Sequence, residues 1–183
     1  MLEFAVLGLL CDTSLHGYEI KRRLAELGFW RVSFGSLYPG LKRLDRRALI
    51  ASDREGRKKM YTLTTEGQKH FMSLLMEHSD APEEERHFHL RLAFFRYLDA
   101  AHRTRSLLRR RNELVEKLTR TKRLMRRAAN HGRGKLDRYT RALIERGVRT
   151  TEADIAWLDH LIAAERGEQA CLTATELSPG GAL

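Results

Sequence analysis

Leu37, Leu41 and Leu44 recur at spacings of four and three within Gly35-Ser36-Leu37-Tyr38-Pro39-Gly40-Leu41-Lys42-Arg43-Leu44. At 100° per residue they fall within about 60° of one another, so the segment reads as a helix with one buried face. Proline has no amide hydrogen and its ring crowds the carbonyl four residues back, which places Pro39 in or very near the first turn; Ser33 is a suitable cap. The helix is expected over residues 35–47. Lys42 and Arg46 then point away from the leucines, with Tyr38 and Arg43 flanking them. Residues 49–54 and 58–63 are β-compatible on either side of Glu55-Gly56, a pair suited to a tight hairpin turn, and Arg57, Lys58 and Lys59 set three cations at its tip.

Upstream, Leu2, Val6, Leu9 and Leu10 give a helix closed by the turn residues Asp12-Thr13-Ser14. Ile20, Leu24 and Leu27 give a second helix that starts near Gly17 and stops at Gly28, with Lys21, Arg22 and Arg23 mostly off its apolar stripe. Thr64-Thr65-Glu66 opens a fourth helix carrying Phe71, Leu74 and Leu75, which fades into His78-Ser79-Asp80-Ala81-Pro82. Two helices, a basic third helix and a basic hairpin make a winged helix-turn-helix, expected over residues 1–78, with a linker over 79–84.

The second half reads as two long helical tracts, residues 83–130 and 135–166, broken at Asn130-His131-Gly132-Arg133-Gly134, with a kink near Asp99. Leu107, Leu114, Leu118 and Met125 form a narrow stripe on the first. Ile144, Val148, Thr151, Ile155, Leu158 and Ile162 repeat at spacings of four and three on the second. A two-helix hairpin of this length is not expected to bury both stripes alone, so residues 85–167 read as a homodimerisation domain whose interface is Leu114, Leu118, Met125, Ile144, Val148, Ile155, Leu158 and Ile162. Residues 168–183 read as a flexible tail. The fold class is therefore mainly α, with an α+β N-terminal domain.

Lys and Arg number 34 against 24 Asp and Glu, a formal net charge of +10, which favours an anionic partner. No apolar run has the length of a membrane span, and the apolar start lacks a basic leader and cleavage site, so a cytoplasmic location is expected. Cys11 and Cys171 have no metal-site or disulfide spacing. His87 and His89 point about 160° apart on a helix, too divergent for one ion, so no metal or other cofactor is expected. No phosphate loop, nucleophile elbow or catalytic constellation is present, which argues against an enzyme.

Lys42, Arg43 and Arg46 suit guanine edges or phosphates, and Ser36 and Tyr38 suit contacts near the helix start of double-stranded DNA. Arg57, Lys58 and Lys59 would add a term independent of sequence, and Tyr18 stands near the backbone as a secondary contact. The plainer alternative is a solvated basic face; the apolar stripe decides for the groove, because it fixes which side is exposed. Residues 103–135 hold 13 Lys or Arg against two Glu, a net of +11. Pairing with Glu145, Glu152, Asp154, Asp159 and Glu165 of the neighbouring tract or subunit is the favoured account of that surplus.

Residues 1–77 resemble the PadR family of bacterial transcriptional regulators. The resemblance rests on Leu7-Gly8-Leu9-Leu10, His16-Gly17-Tyr18-Glu19-Ile20, Gly35-Ser36-Leu37-Tyr38-Pro39, Leu41-Lys42-Arg43-Leu44, and Tyr61, Leu63, Thr64 and Gly67. The helical half is similar in length to the family's longer branch, Trp157-Leu158 included. Ala48 departs from the pattern, standing where relatives carry glycine, so the third helix is expected to leave by another turn. The resemblance implies a dimeric repressor of its own or an adjacent gene that leaves DNA when a small molecule or stress signal is sensed. A small aromatic or hydrophobic effector is then expected between the C-terminal helices and the reader, near Trp157, Phe94, Phe95 and Tyr97, with Trp30 a further candidate; for Trp157 an ordinary interface role is the favoured identity. The competing class is a non-enzymatic scaffold that works through its C-terminal helices and keeps only residual DNA affinity.

Overall fold

The computed structural model of the chain describes residues 1–29, 31–55, 58–77, 85–130 and 137–176. The elements are α1 (Leu2–Leu9), β1 (Leu15–His16), α2 (Gly17–Glu26), α3 (Phe34–Arg46), β2 (Ile50–Glu55), β3 (Lys58–Leu63), α4 (Thr65–Met76), α5 (Glu85–Leu92), a 3-10 turn at Phe95–Tyr97, α6 (Ala100–Asn130) and α7 (Arg138–Glu176). They form two compact units, Met1–Leu98 and Asp99–Leu183.

In the first unit the strands form an antiparallel sheet in the order β1-β3-β2, with Leu15 opposite Tyr61 and Ile50 opposite Leu63. Ala5, Val6, Leu7, Ile20, Leu24, Leu37, Leu41, Leu44, Ile50, Phe71 and Leu75 are its buried core. On α2, α3 and α4 these residues lie on the faces that the helical spacing marks out, whereas α1 is buried at Ala5 and Leu7 and leaves the expected Leu2 and Leu9 half-buried; their burial is what holds four short helices against a small sheet. Ser33 caps α3, its hydroxyl accepting the Ser36 amide at 3.2 Å. The helix begins at Phe34, one residue before the expected start, so Pro39 stands in the second turn. The carbonyl that loses its donor there is that of Gly35, an exposed residue, where water can replace the missing amide.

The exit of α3 corrects the expectation drawn from Ala48. The chain makes the left-handed turn that glycine would make, with Ala48 at φ 54°. The Leu49 amide donates to the Leu44 carbonyl at 3.0 Å and the Ala48 amide to the Asp45 carbonyl at 2.9 Å, the paired bonds of a Schellman cap. Ala48 therefore carries a Cβ in a conformation that disfavours one.

The expected linker, residues 79–84, lies outside the described residues, and the first compact unit runs on past it to Leu98. Phe94 is the reason. Its ring packs edge-on against Phe4 at 5.6 Å and Phe71 at 5.5 Å, over Gly8, where a Cβ would stand 2.5 Å from the ring. Arg91 adds a hydrogen bond from Nη2 to the Leu75 carbonyl at 2.8 Å. The first long tract is accordingly not continuous: it breaks between α5 and α6, and Asp99 caps α6 by accepting the His102 amide at 2.8 Å.

In the second unit α6 and α7 pack side by side and bury Leu107, Leu114, Thr151, Leu158 and Ile162. Arg103 pairs with Glu165, Arg111 with Asp159 and Lys122 with Glu152 across the hairpin. Part of the expected interface is thus already used within the chain. Leu114, Leu158 and Ile162 are covered by the chain's own partner helix, and Leu118, Met125, Ile144, Val148 and Ile155 are half-buried. One antiparallel pair suffices because each stripe is narrow enough for a single facing helix. The expected tail is shorter too, since α7 continues to Glu176. Gly167 alone costs a helix only about 1 kcal/mol, and Glu, Gln, Ala and Leu follow it. Residues 177–183 lie outside the described ones.

Two substitutions at the α3 exit test this packing. Gly67 lies so close to the Leu49 carbonyl oxygen that a Cβ would come within 1.9 Å of it. Gly67→Ala is expected to cost about 3 kcal/mol in urea unfolding, because backbone, not a side-chain tip, must give way. Ala48→Gly is expected to gain about 0.5–1 kcal/mol, the relief of left-handed strain exceeding the added chain entropy.

Candidate nucleic-acid interface

Burial of Leu37, Leu41 and Leu44 turns the opposite face of α3 outward, and Tyr38, Lys42, Arg43 and Arg46 are all exposed there. They are not equivalent. Arg43 donates from Nε to Glu3 of α1 at 3.2 Å, and Arg47 reaches the other oxygen of that carboxylate at 3.2 Å. One acidic residue thus anchors the flank of α3 to α1 through two arginines. Lys42 and Arg46, at the centre of the outward face, make no ion pair among the described residues.

The hairpin is tied to the same helix. Lys59 of β3 lies 3.7 Å from the Asp45 carboxylate and over the Tyr61 ring, and the Ser52 hydroxyl of β2 donates to Asp45 at 3.1 Å. Lys59 is therefore partly neutralised, while the side chains of Arg57 and Lys58 lie outside the described residues. Ser36 spends its hydroxyl on the Ser33 carbonyl at 2.9 Å, within the cap.

Tyr18 stands at the start of α2 and is 70% exposed. Its ring stacks on Phe34 at 6.5 Å, and Phe34 stacks on Tyr38 at 5.8 Å, with the Lys21 ammonium 4.1 Å from the Phe34 centroid. Phe34 and Lys21 escape a reading by periodicity, because neither lies on a stripe; the only signal is an aromatic beside a cap. The start of α2 is fixed by Glu19, whose carboxylate accepts the His16 amide at 3.1 Å. That hydrogen bond holds the Glu19 carboxyl below its ordinary value of 4.5, with the nearby His16 and arginines adding to the effect.

The residues expected around an effector are dispersed. Phe94 and Phe95 are core residues whose ring faces are already in contact with Phe4, Phe71 and Phe88, so packing takes the place of a ligand there. Tyr97 donates its hydroxyl to Asp12 at 2.6 Å, and Arg96 binds the same carboxylate; burial and that bond push the Tyr97 hydroxyl up to about 12. Trp157 lies on α7 in the second unit, half-exposed, and Trp30 is outside the described residues. Burial pushes the neighbouring Cys11 thiol up to about 11, which keeps it a protonated packing group. Among the described residues no helix is long and apolar enough to cross a membrane.

Because the folded value of Glu19 is depressed, the stabilisation its cap supplies is present above the unfolded value and is lost as pH falls through the folded one. Protection of the His16 amide, taken relative to its intrinsic exchange rate, is expected to fall on acidification below the ordinary Glu value of 4.5, and Glu19→Gln, which keeps an acceptor without a titrating proton, is expected to flatten that dependence.

Residues 6–73 match the family model described as the transcriptional regulator PadR-like family, and residues 86–165 match the model described as the virulence activator alpha C-terminal region. The negative transcriptional regulator PadR of Bacillus subtilis (strain 168) is 34% identical over 102 residues, 52% of this chain and 56% of the relative, so the chain matches little more than half of that relative's length. Among solved structures, a PadR-like transcriptional regulator from Bacillus cereus is 22% identical with a TM-score of 0.42, over 92% of this chain and 99% of that one. Bacillus subtilis PadR in complex with operator DNA is 24% identical with a TM-score of 0.40, over 90% and 98%. The domain built on α3 and its hairpin, residues 6–73, matches the PadR-like family of transcriptional regulators.

Proposed function

We propose that this chain is a sequence-specific DNA-binding regulator that acts as a homodimer on a pseudo-palindromic operator and represses transcription. The observation that carries the reading is the division of labour on α3. Arg43 and Arg47 are used inside the molecule on Glu3, whereas Lys42 and Arg46 are presented outward from a helix that leucine burial holds rigid. A helix with two uncommitted cations on its solvent face, flanked by a basic hairpin, fits a major groove and its phosphates. Repression is the activity in the name of the Bacillus subtilis relative and is carried over from it.

Dimerisation needs a surface other than the hairpin seam. Tyr139, Leu143 and Trp157 of α7 are 74%, 67% and 40% exposed and fall within about 40° of one another on the helix, roughly 60–140° from Leu158 and Ile162. α7 thus has two apolar faces, one covered by α6 and one offered to a second copy. Release by a small-molecule effector completes the reading. The first unit holds an open cavity of about 1110 Å³ between the exit of α2 and α5, with Leu27, Phe29, Val32 and Leu90 as apolar wall and two arginines, Arg31 and Arg86, balanced by two glutamates, Glu26 and Glu85. The apolar wall suits a small aromatic or hydrophobic molecule.

Lys42→Ala with Arg46→Ala is expected to abolish discrimination between an enriched and a mixed-sequence duplex and to lower the salt slope of the remaining affinity by up to about two. Unchanged discrimination would sink the reading in favour of a scaffold that works through its helices. In light scattering, Leu143→Glu with Trp157→Glu is expected to convert a dimer to a folded monomer; a dimer that survives would rule out this face.

A further inference from the structure

Three exposed rings stand in a row across the two helices that open the reader. Tyr18 comes from the first turn of α2, Phe34 from the first position of α3, and Tyr38 from the following turn. The planes are nearly parallel, 27° between Tyr18 and Phe34 and 21° between Phe34 and Tyr38. Phe34 is the middle ring, and Lys21 lies over it. On its other side Tyr38 lies against Gly17, where a Cβ would stand 3.0 Å from both its Cε1 and its hydroxyl oxygen, so the absence of a side chain at Gly17 makes the seat.

The fold does not ask for this arrangement. Leu37, Leu41 and Leu44 secure α3, and Phe34 remains 37% exposed. Without the middle ring, Tyr18, Tyr38 and Lys21 would each be a long exposed side chain free to sample its rotamers, and each would lose that freedom on binding. A stack that immobilises them beforehand removes part of the cost of association. The groups so held are two hydroxyls and one ammonium, all donors to phosphate oxygen, at the edge of the helix whose Lys42 and Arg46 face outward.

We infer that Phe34 is a positioning residue of the DNA interface: it holds the Tyr18 and Tyr38 hydroxyls and the Lys21 ammonium in one array that receives the phosphates of a single strand. The inference rests on the DNA-binding reading above. Phe34 acts through its neighbours, so its contribution is to affinity for any duplex, and the choice of sequence stays with Lys42 and Arg46.

The test uses the full chain, a fluorescent mixed-sequence duplex, and a duplex enriched from a random pool by the unmutated protein. Phe34→Ala is expected to weaken both by roughly tenfold, to leave their ratio unchanged, and to lower the salt slope by about one as Lys21 disengages. Phe34→Tyr, which keeps the stack, is expected to restore binding. In the Tyr38→Phe background the cost of Phe34→Ala is expected to shrink, because one of the groups it positions is already absent. Binding by Phe34→Ala within about twofold of the unmutated chain overturns the inference, as does failure of Phe34→Tyr to rescue, or strict additivity with Tyr38→Phe. If Phe34→Ala melts well below the unmutated chain, Phe34→Leu takes its place: it keeps apolar volume without a ring, and its retention of full affinity is equally fatal. The mixed-sequence arm keeps the two readings apart. If Lys42→Ala with Arg46→Ala leaves discrimination intact, the functional reading falls, and the loss on mixed-sequence DNA still decides for or against Phe34.

Discussion

The reader depends on one small junction where α3, the hairpin and α4 meet. Thr64 donates its amide to the Leu49 carbonyl at 3.2 Å and its hydroxyl to the Ala48 carbonyl at 2.7 Å, while that same hydroxyl oxygen caps α4 by accepting the Gly67 amide at 3.0 Å. The end of one helix, the end of the last strand and the start of the next helix thus share three polar groups and one side chain. Gly67 lets α4 come down onto the Leu49 carbonyl, and Ala48 turns the chain so that this carbonyl is presented. The angle between α3 and the hairpin is set here. Its cost is the positive φ of Ala48, of the order of 1 kcal/mol, set against hydrogen bonds that would otherwise leave carbonyls at a helix terminus unsatisfied.

Electrostatics then sorts the cations. Exposed ion pairs of the Glu3–Arg43 kind contribute about 0–1 kcal/mol of stability, so their consequence is geometric: they decide which cations are spent within the chain. On α3 the spent ones lie on the flank and the unspent ones at the centre. On α6 the arginine-rich surplus is partly absorbed by α7, through Arg103, Arg111 and Lys122. Glu113 takes two more arginines, Arg109 and Arg110, from its own helix. A helix with net +9 over residues 103–130 is thereby made compatible with a packed hairpin.

What could be read from the residues was the part governed by period and by cap chemistry. The leucine stripe of α3, its Ser33 cap, the strand pair and the Thr64 start of α4 each have a local cause, so local sequence reveals them. The reach of the first unit to Leu98 has a non-local cause: Phe94 belongs to it because Gly8, far away in the chain, leaves room for its ring. The Tyr18–Phe34–Tyr38 stack is likewise invisible to periodicity, since it joins two helices through residues that belong to no stripe. Ala48 misleads for a different reason. A missing glycine suggests a different turn, but the competing hydrogen bonds are worth more than the strain, and the backbone goes left-handed regardless.

The second unit shows why a heptad-like spacing does not by itself declare an interface between chains. Leu107, Leu114, Leu158 and Ile162 have the spacing of a dimer seam, and a facing helix from the same chain satisfies them equally well, since a seam does not distinguish a neighbour in cis from one in trans. The distinguishing evidence is what remains after the seam is filled. α6 leaves Leu124 exposed, while α7 leaves Tyr139, Leu143 and Trp157 on one line along its length. A solvated helix gains nothing from aromatic and leucine residues kept on one outward line, and a face of that kind is stabilised only by cover. In the homodimer proposed above, the cover that also supplies a second reader is another copy of the chain. Under that proposal the apolar line on α7 and the paired cations on α3 serve one requirement, because linking two readers multiplies affinity without adding any new kind of contact.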